Sequence, residues 1–194
     1  PGPTDMLVAV TDGLGARSEF AYAPLSSSSV HRATAGSAYP VRDLARGAYV
    51  VSGATRVTSR GPQSETYFYE AAKAHVLGRG SLGFARRTMV AVHDGVTRIE
   101  DYLQDPAVVE RIGAPSSVTL QQRNGQPLAR TTFTWARHTY GTGNETRSFG
   151  YPSSIRVERF ELDGVRVSST VTLGTFDTYG TLAQRQVLTT EHAK

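Results

Sequence analysis

The chain has 194 residues, 21 basic against 17 acidic side chains for a formal charge of +4, and no cysteine. That is enough chain and apolar content for one large β domain or two small ones. The missing cysteine excludes a disulfide framework, a thiolate metal site and a cysteine nucleophile. Nearly all the positive charge is arginine, Lys73 and Lys194 being the only lysines, and the densest group, Arg79, Arg86 and Arg87, is small. Nucleic-acid proteins concentrate charge in a stripe or arm, so this basicity reads as a solvated surface. No apolar run reaches the roughly 18 to 20 residues of a membrane helix, and Pro1-Gly2-Pro3 carries no signal pattern, so the chain reads as an excerpt from something longer.

In chain order, Leu7 to Val10 is a short apolar run, Asp12-Gly13-Leu14-Gly15 turns the chain, and Arg17 to Ala23 alternates with Phe20 and Tyr22 on one face. This is a hairpin signature. Pro24 to Ser29 is a serine-rich loop, and the stretch to Tyr39-Pro40 has no period. Ala48 to Thr58 and Glu65 to Glu70 read as strands around a break at Arg60-Gly61-Pro62. Gly78-Arg79-Gly80-Ser81-Leu82-Gly83-Phe84 follows, three glycines in seven residues, between the strand Thr66–Tyr69 and another from Ala85 to Val92. Glycine at this density serves a backbone that takes φ > 0 or packs closely against a neighbouring strand. The expectation is a sharp junction between sheet elements. A phosphate loop would need G-x-x-x-x-G-K-[ST], which is absent, or G-x-G-x-x-G opening a helix; Gly78, Gly80 and Gly83 have the second spacing, but no helix pattern follows to present its N-terminal amides.

Further hairpins are expected around His93-Asp94-Gly95, Asn124-Gly125 and Asp163-Gly164. In the last, Val157 and Phe160 are expected against Val165 and Val167. One short helix is expected over Asp105–Gly113, with Asp105 as cap, Pro106 at its first position and Gly113 just past its end. Tyr140 to Phe149 reads as a loop. Thr175 to Thr181 repeats the logic of the first turn: Asp177 and Gly180 are spaced as Asp12 and Gly15 are, which suits an aspartate bonding back to turn amides with glycine left-handed. The fold class that follows is all-β, an antiparallel, hairpin-rich sheet with at most one short helix.

No chemistry-bearing constellation emerges. His31, His75, His93, His138 and His192 lack metal-ligand spacing, Glu100-Asp101 point to opposite strand faces, and no G-x-S-x-G occurs. No catalytic, cofactor-binding or metal residues are assigned, and an enzyme is not expected. Asn144-Glu145-Thr146 matches a glycosylation acceptor and reads as chance. Glu158-Arg159-Phe160-Glu161 lacks the Glu-x-Glu spacing of an ADP-ribosyltransferase.

Three segments resemble, in order, the middle region of insecticidal toxin complex B components and their SpvB-like relatives. They are Val10–Ala16 leading to Tyr22–Leu25, Tyr39–Leu44 leading to Tyr49–Ser52, and Gly78–Phe84. Phe176-Asp177-Thr178-Tyr179-Gly180 is similar to the turn of the Rhs (YD) repeats that follow in that family. Gln104-Asp105-Pro106 departs from the family's Gln-Asp-Phe-Pro-like run. The resemblance implies a toxin-complex middle region over 1–105 and hairpins leading into YD-type sequence over 106–194. It further implies a non-catalytic segment of a large secreted bacterial protein whose β-shell encloses a C-terminal toxin for delivery. Its motif residues would be Asp12, Gly13, Gly15, Tyr22, Gly78, Gly80, Gly83, Phe84, Asp177 and Gly180. The implied partners are other segments of that protein, the enclosed toxin and a pore-forming toxin-complex component, with no cofactor, nucleic acid or membrane insertion. The alternative is a secreted β-sheet module that holds a glycan or cell-surface partner on Tyr67, Tyr69 and Trp135.

Overall fold

The computed structural model describes residues 5–45, 47–58, 61–141, 146–177 and 179–192. The fold is all-β, and the chain divides into two compact units, Pro1–Ile99 and Glu100–Lys194.

The first unit carries β1 (Ala9–Thr11), β2 (Arg17–Pro24), β3 (His31–Arg32), β4 (Val41–Asp43), β5 (Tyr49–Thr58), β6 (Gly61–Glu70), β7 (Lys73–His75), β8 (Gly80–Gly83) and β9 (Arg86–Ala91). Its larger sheet runs β1-β2-β5-β6-β9, each neighbour antiparallel, and a small second sheet runs β4-β7-β8. Leu7 and Val8, expected within the first strand, lie just before β1 and still hold to β2: the Tyr22 hydroxyl donates to Leu7 O at 2.8 Å and Phe20 N–H to Val8 O at 2.9 Å. The segment after the serine-rich loop, which has no sequence period, forms β3 and pairs in parallel with β6. Its register is imposed from outside: Tyr69 N–H donates to Val30 O and Ala71 N–H to Arg32 O.

This crossing makes the core. Leu25, Val30, Tyr69, Ala71, Ala72 and Leu82 are the buried apolar residues, joined by buried His31. The His31 ring is held at both nitrogens, accepting from Ala72 N–H at Nε2 (3.3 Å) and facing Leu25 O from Nδ1 at 3.0 Å. That pattern suits the neutral ring with its proton on Nδ1.

β10 (Thr97–Tyr102) begins after the turn at Asp94-Gly95 and carries the chain into the second unit. There β11 (Pro115–Gln121), β12 (Pro127–Tyr140), β13 (Arg147–Phe160), β14 (Arg166–Phe176) and β15 (Leu182–Glu191) form an up-and-down antiparallel ladder. Among the described residues, none of the buried apolar ones lies in this unit.

Three expectations are corrected here. The helix over Asp105–Gly113 is only a 3₁₀ turn at Val109–Arg111. The local signals act, since Asp105 Oδ1 accepts from Ala107 N–H and Gly113 has φ 75°. But Leu103 N–H bonds Ala114 O and Gly113 N–H bonds Leu103 O, pinning both ends of the segment and leaving room for a single turn. Tyr140 and Arg147–Phe149, read as loop, are ladder residues: His138 pairs Phe149 and Tyr140 pairs Arg147. Val157 faces Thr170, and Phe160 faces Arg166, rather than Val165 or Val167. A register shift at Arg159/Phe160 next to the turn moves the pairing, and Val165 stays exposed. The Arg60 break and the Asn144-Glu145 part of the acceptor sequence lie outside the described residues.

Candidate functional site

The motif residues fall into two constructions. The first is a turn that recurs. Asp12 N–H bonds Ala16 O, Gly15 N–H bonds Asp12 O, and Asp12 Oδ1 accepts from Leu14 N–H and Ala16 N–H, each at 2.9 Å. Asp177 does the same: its N–H bonds Thr181 O, Gly180 N–H bonds its carbonyl, and its Oδ1 accepts from Tyr179 N–H at 2.8 Å and Thr181 N–H at 2.9 Å. Gly15 and Gly180 both sit at φ 84°. A side-chain acceptor beneath the loop satisfies amides that the tight reversal leaves without a ladder partner. Each turn therefore carries its own closure.

The Asn124 and Asp163 turns use the same backbone with the side chain moved. Gln122 N–H bonds Gln126 O and Glu161 N–H bonds Val165 O, with Gly125 and Gly164 at φ 86° and 87°. Here the side chain two residues later caps the closing amide, Asn124 Oδ1 to Gln126 N–H and Asp163 Oδ1 to Val165 N–H, both at 3.0 Å. These two turns also bind each other, since Gln122 Nε2 donates to Leu162 O at 2.8 Å and Gln126 Nε2 to Asp163 O at 3.3 Å.

Gly13 is the member of the set that the turn does not need. Its φ is not positive and a Cβ there would meet nothing within 4 Å. Gly180 is the most constrained. A Cβ on it would lie 3.0 Å from Phe149 Cζ, so the second turn is seated against an aromatic row that includes Phe149, Tyr151 and Phe176, with Tyr151 and Phe176 centroids 4.4 Å apart. His138 joins the row 5.5 Å from Phe149. These rings were not among the expected motif residues. The signal for them is the alternation His138/Tyr140 and Phe149/Tyr151, which the glycine-rich stretch between them obscures.

The second construction is Gly78–Phe84. Rather than joining β6 to β9 directly, it forms the outer strand of the small sheet, with His75 opposite Gly80, Ala74 opposite Ser81 and Lys73 opposite Gly83. The register skips Leu82, which is thus a β-bulge. A bulge re-aims a side chain, and Leu82 points into the core with 0% exposure, the most buried side chain described. Gly78, Gly80 and Gly83 take φ of 90°, 71° and 75°, as the positive-φ expectation requires. The close-packing half of that expectation is corrected: a Cβ at any of the three would meet nothing within 4 Å, so the backbone angle alone calls for glycine. Phe84 then packs at 4.7 Å from the Tyr69 ring and 6.3 Å from His31.

Residues considered for chemistry are dispersed or occupied. Glu100 accepts from the Tyr102 hydroxyl at 2.5 Å while Asp101 accepts from Ser117 Oγ at 2.9 Å. No group of three His, Asp or Glu side chains among the described residues could hold a metal ion. Tyr69 is buried with its hydroxyl on Val51 O, and Trp135 Nε1 donates to Pro115 O at 2.7 Å. The Tyr67 hydroxyl donates to Glu65, and burial, with that bond, pushes its pKa up to about 12. On the second unit, Ser148 Oγ donates to Glu110 Oε1 and accepts from Arg137, which also pairs with Glu110 at 3.2 Å. The Ser148 bond, supported by Arg137, holds the Glu110 carboxyl below the usual range. This cluster ties the 3₁₀ turn to β12 and β13.

No protein-family model matches the chain, and no curated protein matches it.

Proposed function

We propose that the chain is a structural, non-catalytic segment of a large secreted protein of the Rhs/YD toxin-complex type, and that its sheets contribute to a shell around an enclosed toxin. The observation that carries this reading is the second unit: long strands in a nearest-neighbour ladder in which, among the described residues, no apolar side chain is fully buried. A sheet needs another layer or neighbouring strands to become independently stable, and a wall supplies both. The matched turns at Asp12 and Asp177 support it, because a self-capped reversal can be reused wherever a ladder folds back.

A glycan- or surface-binding module on Tyr67, Tyr69 and Trp135 is less well supported. It requires an open aromatic platform, whereas Tyr69 is 8% exposed and the polar atoms of all three rings are engaged.

The test uses the complete open reading frame that contains residues 1–194. Its product is purified, imaged by electron microscopy and treated with protease. A hollow particle with a protected C-terminal polypeptide supports the reading. A product that opens with a signal peptide and ends soon after Lys194 removes it and leaves the binding module.

A further inference from the structure

We infer that His31 is an acid-sensitive latch: a second proton on its ring releases β3 and the serine-rich loop from the core of the first unit, while the main ladder of that unit stays paired. The ring is 5% exposed. It faces Leu25 O, six residues back, and accepts from Ala72 N–H, 41 residues on. β3 has little else to hold it. It lies off the main ladder path and meets β6 at two residue pairs, His31 with Tyr69 and Arg32 with Glu70. Val30 and His31 N–H both bond Ser27 O, so the loop and β3 share their own hydrogen bonds and can leave as one piece.

The ring fits its place in one protonation state. A neutral imidazole has one donor and one acceptor, and the backbone supplies one partner for each. An imidazolium has two donors. Its Nε2–H would point at Ala72 N–H, leaving a buried charge with Leu25 O as its one acceptor. Turning the ring away takes the acceptor from the Ala72 amide inside the core, which favours separation and access of water. The way out is polar: a hollow of about 260 Å³ beside the ring is lined by Leu25, Ser26, Ser28, Ala33 and Ala45.

No neighbouring charge replaces the missing acceptor. The titratable groups on the surrounding elements are Arg32 beside it, Tyr69 and Glu70 on β6, Lys73 and His75 on β7, Arg42 and Asp43 on β4, and Arg86 and Arg87 on β9; the serine-rich loop has none. Glu70 pairs with Arg32 at 2.8 Å, the Tyr69 hydroxyl donates to Val51 O, and Asp43 accepts from Ser37 Oγ at 2.7 Å. Among the described residues the ring's bonds go to backbone alone. In the released segment the ring meets water and takes up a proton in the ordinary histidine range, about pH 6.5. Docking is thus complete above that pH and is lost as pH falls, the released population rising about tenfold per unit. This window lies above the one in which the Asp43 carboxyl, held low by Ser37, takes its proton.

The latch does not rest on the shell reading, and its test reads the segment directly. The product of the complete open reading frame is followed by amide hydrogen exchange and mass spectrometry at pH 7.5 and 5.5, with exchange times scaled for the intrinsic rate. Peptides carrying Val30–Arg32 and Tyr69–Ala72 should lose protection about tenfold at pH 5.5 and regain it on return to 7.5. Peptides from β2 and β5 should not change. His31→Gln should remove the pH dependence of the Tyr69–Ala72 amides, and His75→Gln should leave it as in the intact chain. Equal protection at both pH values, a loss spread evenly over the first unit, or a response that survives His31→Gln or disappears in His75→Gln would each overturn the inference. The location and reversibility of the loss in the intact chain decide the matter even where the His31 variant fails to fold. A particle that is not hollow would remove the shell reading and leave these readouts as they are.

Discussion

At the level of single residues, the two aspartate turns make a comparison in which only the surroundings differ. Asp12→Ala and Asp177→Ala each remove an acceptor that serves two backbone amides, and each should cost about 1 to 2 kcal/mol in a thermal or urea melt. The Asn variants keep Oδ1 and should lose much less. Gly15→Ala carries the left-handed backbone penalty of about 1 kcal/mol, while Gly180→Ala should cost more because its Cβ also meets Phe149. Gly13→Ala should be neutral within about 0.5 kcal/mol.

Two carboxylates and a tyrosine set the expected pH response. The Ser37 hydroxyl bond, with help from Ser37 N–H and Lys73, holds the Asp43 carboxyl below its ordinary range, as the Ser148 bond does for Glu110. A lowered folded value means that the stabilisation is complete above the ordinary carboxylate range and disappears as pH falls through the folded values. The melting temperature should drop on acidification below about pH 4, and an Asp43→Asn/Glu110→Gln variant should show a shallower drop. Tyr67 works at the other end. Its folded pKa is raised, so its contribution is intact below about pH 10 and is lost as pH rises towards 12. Tyr67→Phe should flatten that alkaline limb.

Among the elements, β8 joins backbone strain to core packing. Its glycines take positive φ so that the bulge can drive Leu82 inward. Leu82→Ala should therefore destabilise the chain by about 2 to 5 kcal/mol, in the range for a fully buried leucine. Gly80→Val/Gly83→Val leaves the core residue in place but makes its backbone unfavourable. That variant should lose near-ultraviolet circular dichroism or solubility; an unchanged spectrum and melt would refute the geometric account of the bulge. The glycines announce a special backbone in sequence. The strand they form is not announced, because Gly80–Gly83 has neither strand propensity nor alternation and depends on pairing with β7. The helix signals of Asp105–Gly113 likewise lose to the two bonds that pin Leu103 against Gly113 and Ala114.

Across the molecule, protection should be uneven. Hydrogen exchange should be slowest in the first unit at Tyr69 and Ala71, whose amides bond within the buried crossing of β3 and β6, and in the second unit along the centre of β12 and β13. On β15, Gln186, Leu188 and Thr190 should exchange slowly, because their amides face β14. Uniform fast exchange would show that β15 is not docked on β14. The all-β class, the hairpins and the closing geometry of the Asp12 and Asp177 turns were legible in sequence, since period-2 patterning, Asx side chains and left-handed glycines act over a few residues. The parallel β3–β6 contact, the small β4-β7-β8 sheet, the Leu82 bulge and the seating of Gly180 beneath Phe149 were decided only in the tertiary structure. Each depends on backbone groups or rings brought together from distant parts of the chain, and a local pattern carries no record of that meeting.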